Sequence, residues 1–172
     1  MKLKMILSLL LFAVIVNAQK GNSENQALKQ VIEDFRISII EHDNEEKFNN
    51  LFLHESITWA TIYTAKSKAS ILEKNPNFKY YSSDFKSFYK NLLGGNIEEK
   101  FYNVKIDTRD KFATISFDYT FAKNSKIQNW GVEYWSLMKV EGSWKITSVT
   151  WTMNLENIQK CPFVSDQYFI LK

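Results

Sequence analysis

The stretch from Asn129 to Met153, NWGVEYWSLMKVEGSWKITSVTWTM, contains four of the chain's five tryptophans and indicates how the C-terminal half folds. On both sides of the dipeptide Glu141–Gly142, β-branched and aromatic residues dominate, as is typical of strands. A two-residue break that contains a glycine favours a turn, and so short a connection makes the flanking strands neighbours. The stretch therefore predicts a hairpin of two long antiparallel strands.

Two further strand-like runs precede this hairpin. The breaks between consecutive runs are short segments rich in Asp, Asn, Ser and Lys, which favour turns. Strands joined by such short segments pair with each other, so we predict a four-stranded antiparallel meander. Its strands are expected at residues 97–107, 111–122, 129–140 and 143–153.

The N-terminal half is predicted to be mainly helical. Residues 24–42 place apolar side chains at helical intervals, which indicates an amphipathic helix of about five turns. Helices followed by a long meander are the order of an α+β fold, in which a curved antiparallel sheet wraps around the N-terminal helices. The remaining predicted elements are a helix within 44–52, a strand at 55–63, a short helix at 67–74, and a helix at 83–93 that Gly94 and Gly95 end.

The first 18 residues have the pattern of a secretory signal peptide. Two lysines, an apolar run and a small residue at Ala18 are its three parts. The run of roughly a dozen apolar residues is shorter than the ~20 that span a bilayer. We therefore expect an exported protein, periplasmic or secreted, that is cleaved after Ala18. Residues 19–23 are predicted to be a disordered lead, 24–154 a single domain, and 155–172 a C-terminal tail that packs on it.

Charge and composition argue against several classes of partner. The chain has 22 basic and 19 acidic residues, and the predicted signal peptide removes two lysines, which leaves 20 against 19. Because no concentrated basic patch is present, we expect no nucleic-acid partner, and no membrane partner either. The two histidines, His42 and His54, lack zinc-ligand spacing, so we expect no metal and no cofactor. Cys161 is the only cysteine, so an internal disulfide is excluded and the role of its thiol is open.

Gly142, Trp144 and Ile146, at the start of the last predicted strand, are similar to a Gly-x-Trp-x-Ile pattern of nuclear-transport-factor-2-like proteins. Together with the element order over roughly residues 24–153, the chain resembles this superfamily, including its SnoaL-like and ketosteroid-isomerase-like branches. The resemblance implies a cone-shaped, cystatin-like α+β fold, a pocket between sheet and helices, and a homodimer formed through the sheet. It does not imply one activity, because members include isomerases, dehydratases, cyclases, ligand carriers and inert modules.

Two residues on which catalytic members of the superfamily depend are missing. Many SnoaL-like sequences have a histidine six positions after the tryptophan of the pattern, where this chain has Thr150. The isomerase pattern includes a tyrosine in the first helix, and residues 24–42 contain none. We therefore expect a binding domain rather than a catalyst of a known family type.

Strand alternation nevertheless points to one pair of carboxyls. If the turn is centred between Ser125 and Lys126, Asp118 lies directly opposite Glu133. Opposed carboxyls repel each other, and the pKa of one is raised, which allows acid and base roles near neutral pH. The alternatives are a different register or a lysine that neutralises both. Asp118 and Glu133, with His54 as an assisting base, are thus the candidate catalytic residues of an isomerase, dehydratase or cyclase.

Aromatic side chains are the candidates for ligand binding. Alternation places Trp130 and Tyr134 on one face of their strand, which we expect against the helices, and Trp135 on the other. We favour an exported domain that binds a small apolar or aromatic ligand, although the same rings are also compatible with simple core packing. The third possibility is a dimeric interaction module that uses the outer sheet face with Trp135 and Trp151. The candidate ligand-binding residues are Trp59, Tyr63, Tyr119, Trp130 and Tyr134.

Overall fold

The computed structural model describes residues 23–92 and 95–163. The predicted signal peptide, nearly all of the predicted lead, the predicted helix stop at Gly94 and the last part of the tail lie outside these residues. Within them, the predicted order of helices and strands is confirmed, and a two-residue strand that the sequence did not indicate is added. The elements are α1 at 23–41, α2 at Glu45–Asn49, β1 at Thr58–Tyr63, α3 at Ala65–Leu72, β2 at Tyr81–Ser82, α4 at Phe85–Asn91, β3 at Ile97–Arg109, β4 at Phe112–Lys123, β5 at Lys126–Val140 and β6 at Ser143–Leu155.

All six strands belong to one sheet, with the order β2-β1-β6-β5-β4-β3. The four long strands form the predicted meander, and β1 adds to it in parallel along β6. The hairpin turns Asn124–Ser125 and Glu141–Gly142 have positive φ at both residues, which is the conformation that suits two-residue hairpins. The fold is therefore the α+β arrangement that the element order predicted.

The helices pack on one face of this sheet, the inner face. Phe35 of α1 lies 4.7 Å from the ring of Trp135 and 6.4 Å from that of Phe101. At its N-terminal end α1 is tied to the sheet through Glu24, whose carboxylate accepts hydrogen bonds from Lys139 Nζ at 2.6 Å and Trp144 Nε1 at 3.0 Å. Aromatic packing therefore holds the helices against the sheet, without the help of a disulfide.

The β4–β5 register differs from the predicted one and reverses which side chains of β5 face the helices. Lys123 pairs with Lys126 at the turn, but a β-bulge after Phe121 inserts an extra residue into β5. Beyond the bulge, Asp118 lies opposite Val132 instead of Glu133. Because side chains alternate along a strand, a one-residue shift moves each of them to the other face. The predicted Asp118–Glu133 pair is therefore wrong.

The outer face of the sheet carries the side chains that were expected against the helices. Trp130 is covered by residues that follow β6: its Nε1 donates to the Gln159 carbonyl at 2.9 Å, and the Phe163 ring lies 5.6 Å away. Tyr134 is 56% exposed on this face. Trp135 and Trp151, predicted for an outer interface, instead pack with the hydrophobic core on the inner face. Among the described residues, no helix is long and apolar enough to span a bilayer.

Candidate ligand-binding cavity

A cavity of about 220 Å³ lies between the inner face of the sheet and the helices. Helix α1 contributes Phe35 to its wall and α4 contributes Phe88, while Trp59, Trp151 and other side chains come from the strands. Tyr81 and Asn91 line the cavity and are themselves exposed, so they mark its opening. The walls are mainly aromatic and aliphatic, with a few polar groups, which is the usual composition of a small-molecule site.

One position of β5, opposite the cavity residue Tyr119, lacks a side chain. Gly131 lies directly opposite Tyr119 in the β4–β5 pair. A Cβ at Gly131 would overlap the carbonyl oxygen of Thr152 on β6, so only glycine allows the two backbones to approach this closely.

Glu133 of β5 points into the cavity and is only 5% exposed. Its Oε1 accepts a 2.6 Å hydrogen bond from Nε1 of Trp135, two residues along the same strand face. Burial raises the pKa of Glu133 to about 7, and the hydrogen bond from Trp135 opposes that rise because it stabilises the carboxylate. This carboxyl group therefore changes its protonation near neutral pH.

Glu99 of β3 is a second buried carboxyl in the same cavity, also 5% exposed. Its Oε2 atom is fully buried and has no hydrogen-bond partner among the described residues. Burial raises its pKa well above the ordinary value, and the negative charge of Glu133 raises that pKa further. Glu99 is therefore the group that keeps its proton when Glu133 loses its own.

Tyr119 of β4 is the third titratable group of this wall. Its hydroxyl donates to Asn129 Oδ1 at 3.1 Å or to the Thr152 carbonyl at 3.2 Å. Burial raises its pKa well above the usual value, and the nearby Glu133 and Glu99 carboxyls raise it further, so it stays a neutral phenol. Together the three groups offer one carboxyl that titrates near neutrality, one neutral carboxyl and one hydroxyl.

Of the predicted ligand-binding residues, Trp59 and Tyr119 line the cavity, whereas three others do not. Tyr63 packs against Phe78, with ring centroids 5.5 Å apart. Trp130 and Tyr134 lie on the outer face because of the bulge between β4 and β5.

Of the predicted catalytic residues, only Glu133 lies in the cavity. Asp118 is on the outer face, where its Oδ2 accepts a 2.6 Å hydrogen bond from Asn103 Nδ2. His54 is exposed in a turn, and its Nδ1 accepts from the backbone N–H of Ser56 at 3.1 Å. The three residues are therefore not assembled into one site.

Glu99 is the functional candidate that the sequence analysis did not identify. The sequence does contain a signal that Glu99 faces inward. Alternation along the start of β3 places it between Ile97 and Phe101 on one face. A single carboxyl within an otherwise apolar face is unfavourable unless it has a role or a partner. Among the described residues, no three His, Cys, Asp or Glu side chains come together as a metal-binding group.

The chain is similar to known proteins in its fold but not in its sequence. No family model matches the sequence, and no curated protein is similar to it. Solved structures do match: a protein from Novosphingobium aromaticivorans, provisionally named a scytalone dehydratase, superposes with a TM-score of 0.59 at 15% identity. The match covers 80% of this chain and 89% of that one.

Two further structures support the same assignment. A provisionally named dehydratase of the nuclear-transport-factor-2-like family from Streptomyces avermitilis has a TM-score of 0.58 at 11% identity, over 78% of this chain and 99% of its own. A second protein from Novosphingobium aromaticivorans, described as nuclear-transport-factor-2-like with a cystatin-like fold, has a TM-score of 0.59 at 8% identity, over 81% and 87%. The chain therefore has the nuclear-transport-factor-2-like, cystatin-like fold that its Gly-x-Trp-x-Ile pattern and element order predicted.

Proposed function

We propose that this chain is a small-molecule-binding domain that holds a compact, largely apolar or aromatic ligand in the cavity. The observation that carries the proposal is the cavity itself, with rings of Trp59, Phe88 and Trp151 on its walls and few polar groups among them. Such rings supply contact area, while the polar groups orient the ligand. A volume of about 220 Å³ suits a single-ring molecule.

Binding of single-ring compounds, followed by tryptophan fluorescence and thermal shift, tests this proposal. Because Trp59 and Trp151 line the cavity, an occupant is expected to change the emission and to raise the melting temperature. Ser83→Phe fills the rim of the cavity and is expected to weaken binding about tenfold or more, whereas Ser82→Phe, at an exposed neighbour, is the matched control. Equal binding by the two variants would contradict the site.

Acid–base catalysis is the second candidate, and the Glu133 pKa of about 7 is the observation that favours it. In a dehydration, the Glu133 carboxylate would take a proton from carbon. The protonated Glu99 carboxyl would give its proton to the departing hydroxyl, which leaves as water as the double bond forms. A base with a pKa near the working pH is the efficient choice. Two of the structural neighbours, provisionally named dehydratases, are compatible with this chemistry.

Exchange of carbon-bound protons in D₂O, measured by NMR on a ligand that binds, tests catalysis without knowledge of the product. Glu133→Gln is expected to slow exchange by about 10²-fold or more. Asp118→Asn changes a carboxyl on the opposite face of the sheet and is the control. If Asp118→Asn abolishes exchange and Glu133→Gln does not, the assignment to Glu133 is wrong.

A homodimer through the sheet is also proposed. Ile62, Tyr80 and Tyr134, each at least 56% exposed, line one shallow groove on the outer face. Exposed aromatic and aliphatic side chains that are clustered in this way usually mark an interface. Sedimentation is expected to show a dimer that Tyr134→Glu dissociates, whereas Ile40→Glu on α1 leaves it intact. A wild-type monomer at high concentration would count against the dimer.

Export is the remaining proposal, and it rests on the signal-peptide pattern of residues 1–18. Mass spectrometry of protein produced from the full chain is expected to give a form that begins at Gln19. Protein that is exported but retains Met1 would contradict cleavage after Ala18.

A further inference from the structure

The cavity contains acidic groups without basic ones. Glu99 and Glu133 are part of its lining, and none of the described lining residues is a lysine, arginine or histidine. Neither carboxyl forms an ion pair within the described part of the chain. Buried carboxyls are normally compensated by a nearby positive charge, because their removal from water is unfavourable. The cavity therefore provides negative charge for which the described protein residues supply no counter-charge.

Glu99 is the carboxyl whose hydrogen bonding is least complete. It is only 5% exposed and lines the cavity, and its Oε2 has no hydrogen-bond partner among the described residues. Glu133, by contrast, receives one hydrogen bond, from the indole N–H of Trp135 to Oε1. An unpartnered buried oxygen that borders a cavity is most simply satisfied by a donor on the occupant.

The remaining walls suit a cation as well as a neutral ring. Trp59 lies 5.2 Å from Phe88 and 5.5 Å from Trp151, measured between ring centroids, so three aromatic rings form one continuous wall. Aromatic faces attract organic cations, and most strongly when water is excluded. A metal cation fits less well, because Ca²⁺ and Mg²⁺ require six or more oxygen ligands and no group of three potential ligands exists among the described residues.

We propose that the ligand of this cavity is a compact organic monocation, an alkyl- or arylammonium ion. Its nitrogen lies against Glu99 and Glu133, and its apolar body packs against Trp59, Phe88 and Trp151. This inference depends on the proposed small-molecule-binding function and specifies the class of ligand. One positive charge matches the pair, because two carboxyls that share a site hold one proton between them near neutral pH.

The proposal predicts the direction of a pH dependence. A cation favours the ionised carboxyls, so ammonium affinity is expected to rise with pH between about 5 and 8. The titratable groups that face the pair are Tyr119 from β4 and Tyr81 at the opening. The pKa of Tyr119 is raised well above its usual value, so it is neutral in this range. The groups contributed by α1, α4, β1 and β6 carry no charge: they are Phe35, Phe88, Asn91, Trp59, Val149, Trp151 and Met153.

Calorimetric titration with benzylammonium, benzyl alcohol and benzoate, at about pH 5 and about pH 8, tests the inference. These probes share a ring and differ in charge. At the higher pH, benzylammonium is expected to bind at least about tenfold more tightly than benzyl alcohol, and benzoate is expected not to bind. When the pH is lowered from about 8 to about 5, the benzylammonium affinity is expected to fall about tenfold, while the benzyl alcohol affinity stays nearly constant.

Isosteric variants separate charge from shape. Glu99→Gln/Glu133→Gln, which removes the negative charge of the pair, is expected to weaken benzylammonium about tenfold and to leave benzyl alcohol unchanged, whereas Glu98→Gln, at the next position on the outer face, affects neither. If benzyl alcohol binds as tightly as benzylammonium, or if Glu99→Gln/Glu133→Gln is without effect on benzylammonium, the cation inference is overturned and the binding function stands. If no probe binds, both fail.

Discussion

At the residue scale, the proton affinity of Glu133 depends on one indole. The hydrogen bond from Trp135 Nε1 stabilises the carboxylate and therefore lowers a pKa that burial raises. Trp135→Phe removes the donor and keeps a ring in place, so the pKa of Glu133 is expected to rise above 7. A ¹³C NMR titration of the glutamate carboxyls measures it. Trp130→Phe, which removes an indole hydrogen bond on the outer face, is the control and leaves this pKa unchanged.

The two buried carboxyls were only partly predictable from the sequence. Paired carboxyls were predicted, and one of the two, Glu133, lies in the cavity, although the predicted strand faces had put it, beside Trp135, away from the helices. Asp118, its predicted partner, lies on the outer face. The actual second carboxyl, Glu99, lies two strands away in the order β3-β4-β5, so no hairpin rule brings the two together. A local pattern can indicate that Glu99 faces inward. It cannot indicate that the inward faces of β3 and β5 border one cavity.

At the element scale, the β5–β6 pair depends on Gly131. Alanine there would place its Cβ against the backbone carbonyl of Thr152, which cannot move aside as a flexible side chain could. Gly131→Ala is therefore expected to lower the free energy of unfolding by about 1–3 kcal/mol or more, measured by urea denaturation. Ser136→Ala, at an exposed position of the same strand, should stay within about 0.5 kcal/mol of wild type. Equal stability of the two variants would show that β5 and β6 can move apart at Gly131 without a loss of unfolding free energy.

Strand positions were predictable at this scale, whereas register was not. The composition of β4 and β5 and the break between them indicate a hairpin, and the hairpin forms. The bulge after Phe121 has no counterpart in the pattern, because polar and apolar residues alternate on both sides of it. One inserted residue was sufficient to exchange the faces of Trp130 and Trp135, and with them the predicted pocket lining and the predicted interface.

At the scale of the whole molecule, element order fixes the architecture and leaves the cavity undetermined. One early strand after two helices, followed by four long strands with short connections, permits few arrangements, and the observed α+β sheet is among them. The cavity depends on how Phe35 and Phe88 of the helices pack relative to Trp59, Trp151 and the other side chains of the inner face. These features are set by tertiary packing, so the sequence predicted a pocket only through the resemblance.

The buried carboxyls give the whole molecule a characteristic pH dependence of stability. The pKa of Glu133 is about 7 in the folded state against an ordinary 4.5, and that of Glu99 is also raised. Between these two values the native state binds more protons than the unfolded chain, so the free energy of unfolding falls as pH rises through the window. Each pKa unit of difference is worth about 1.4 kcal/mol. Urea denaturation across the window is expected to show this decline.

The double variant Glu99→Gln/Glu133→Gln identifies the source of the decline. With both titrating groups removed, stability is expected to change little over the same pH range and to exceed that of wild type near neutrality. Glu98→Gln is the control, because Glu98 lies on the outer face beside Lys100 and its loss should leave the slope intact. A wild-type stability that rises over this window would mean that the carboxyls are already compensated in the apo protein. Addition of benzylammonium is expected to oppose the decline, because a bound cation stabilises the ionised carboxyls that burial disfavours.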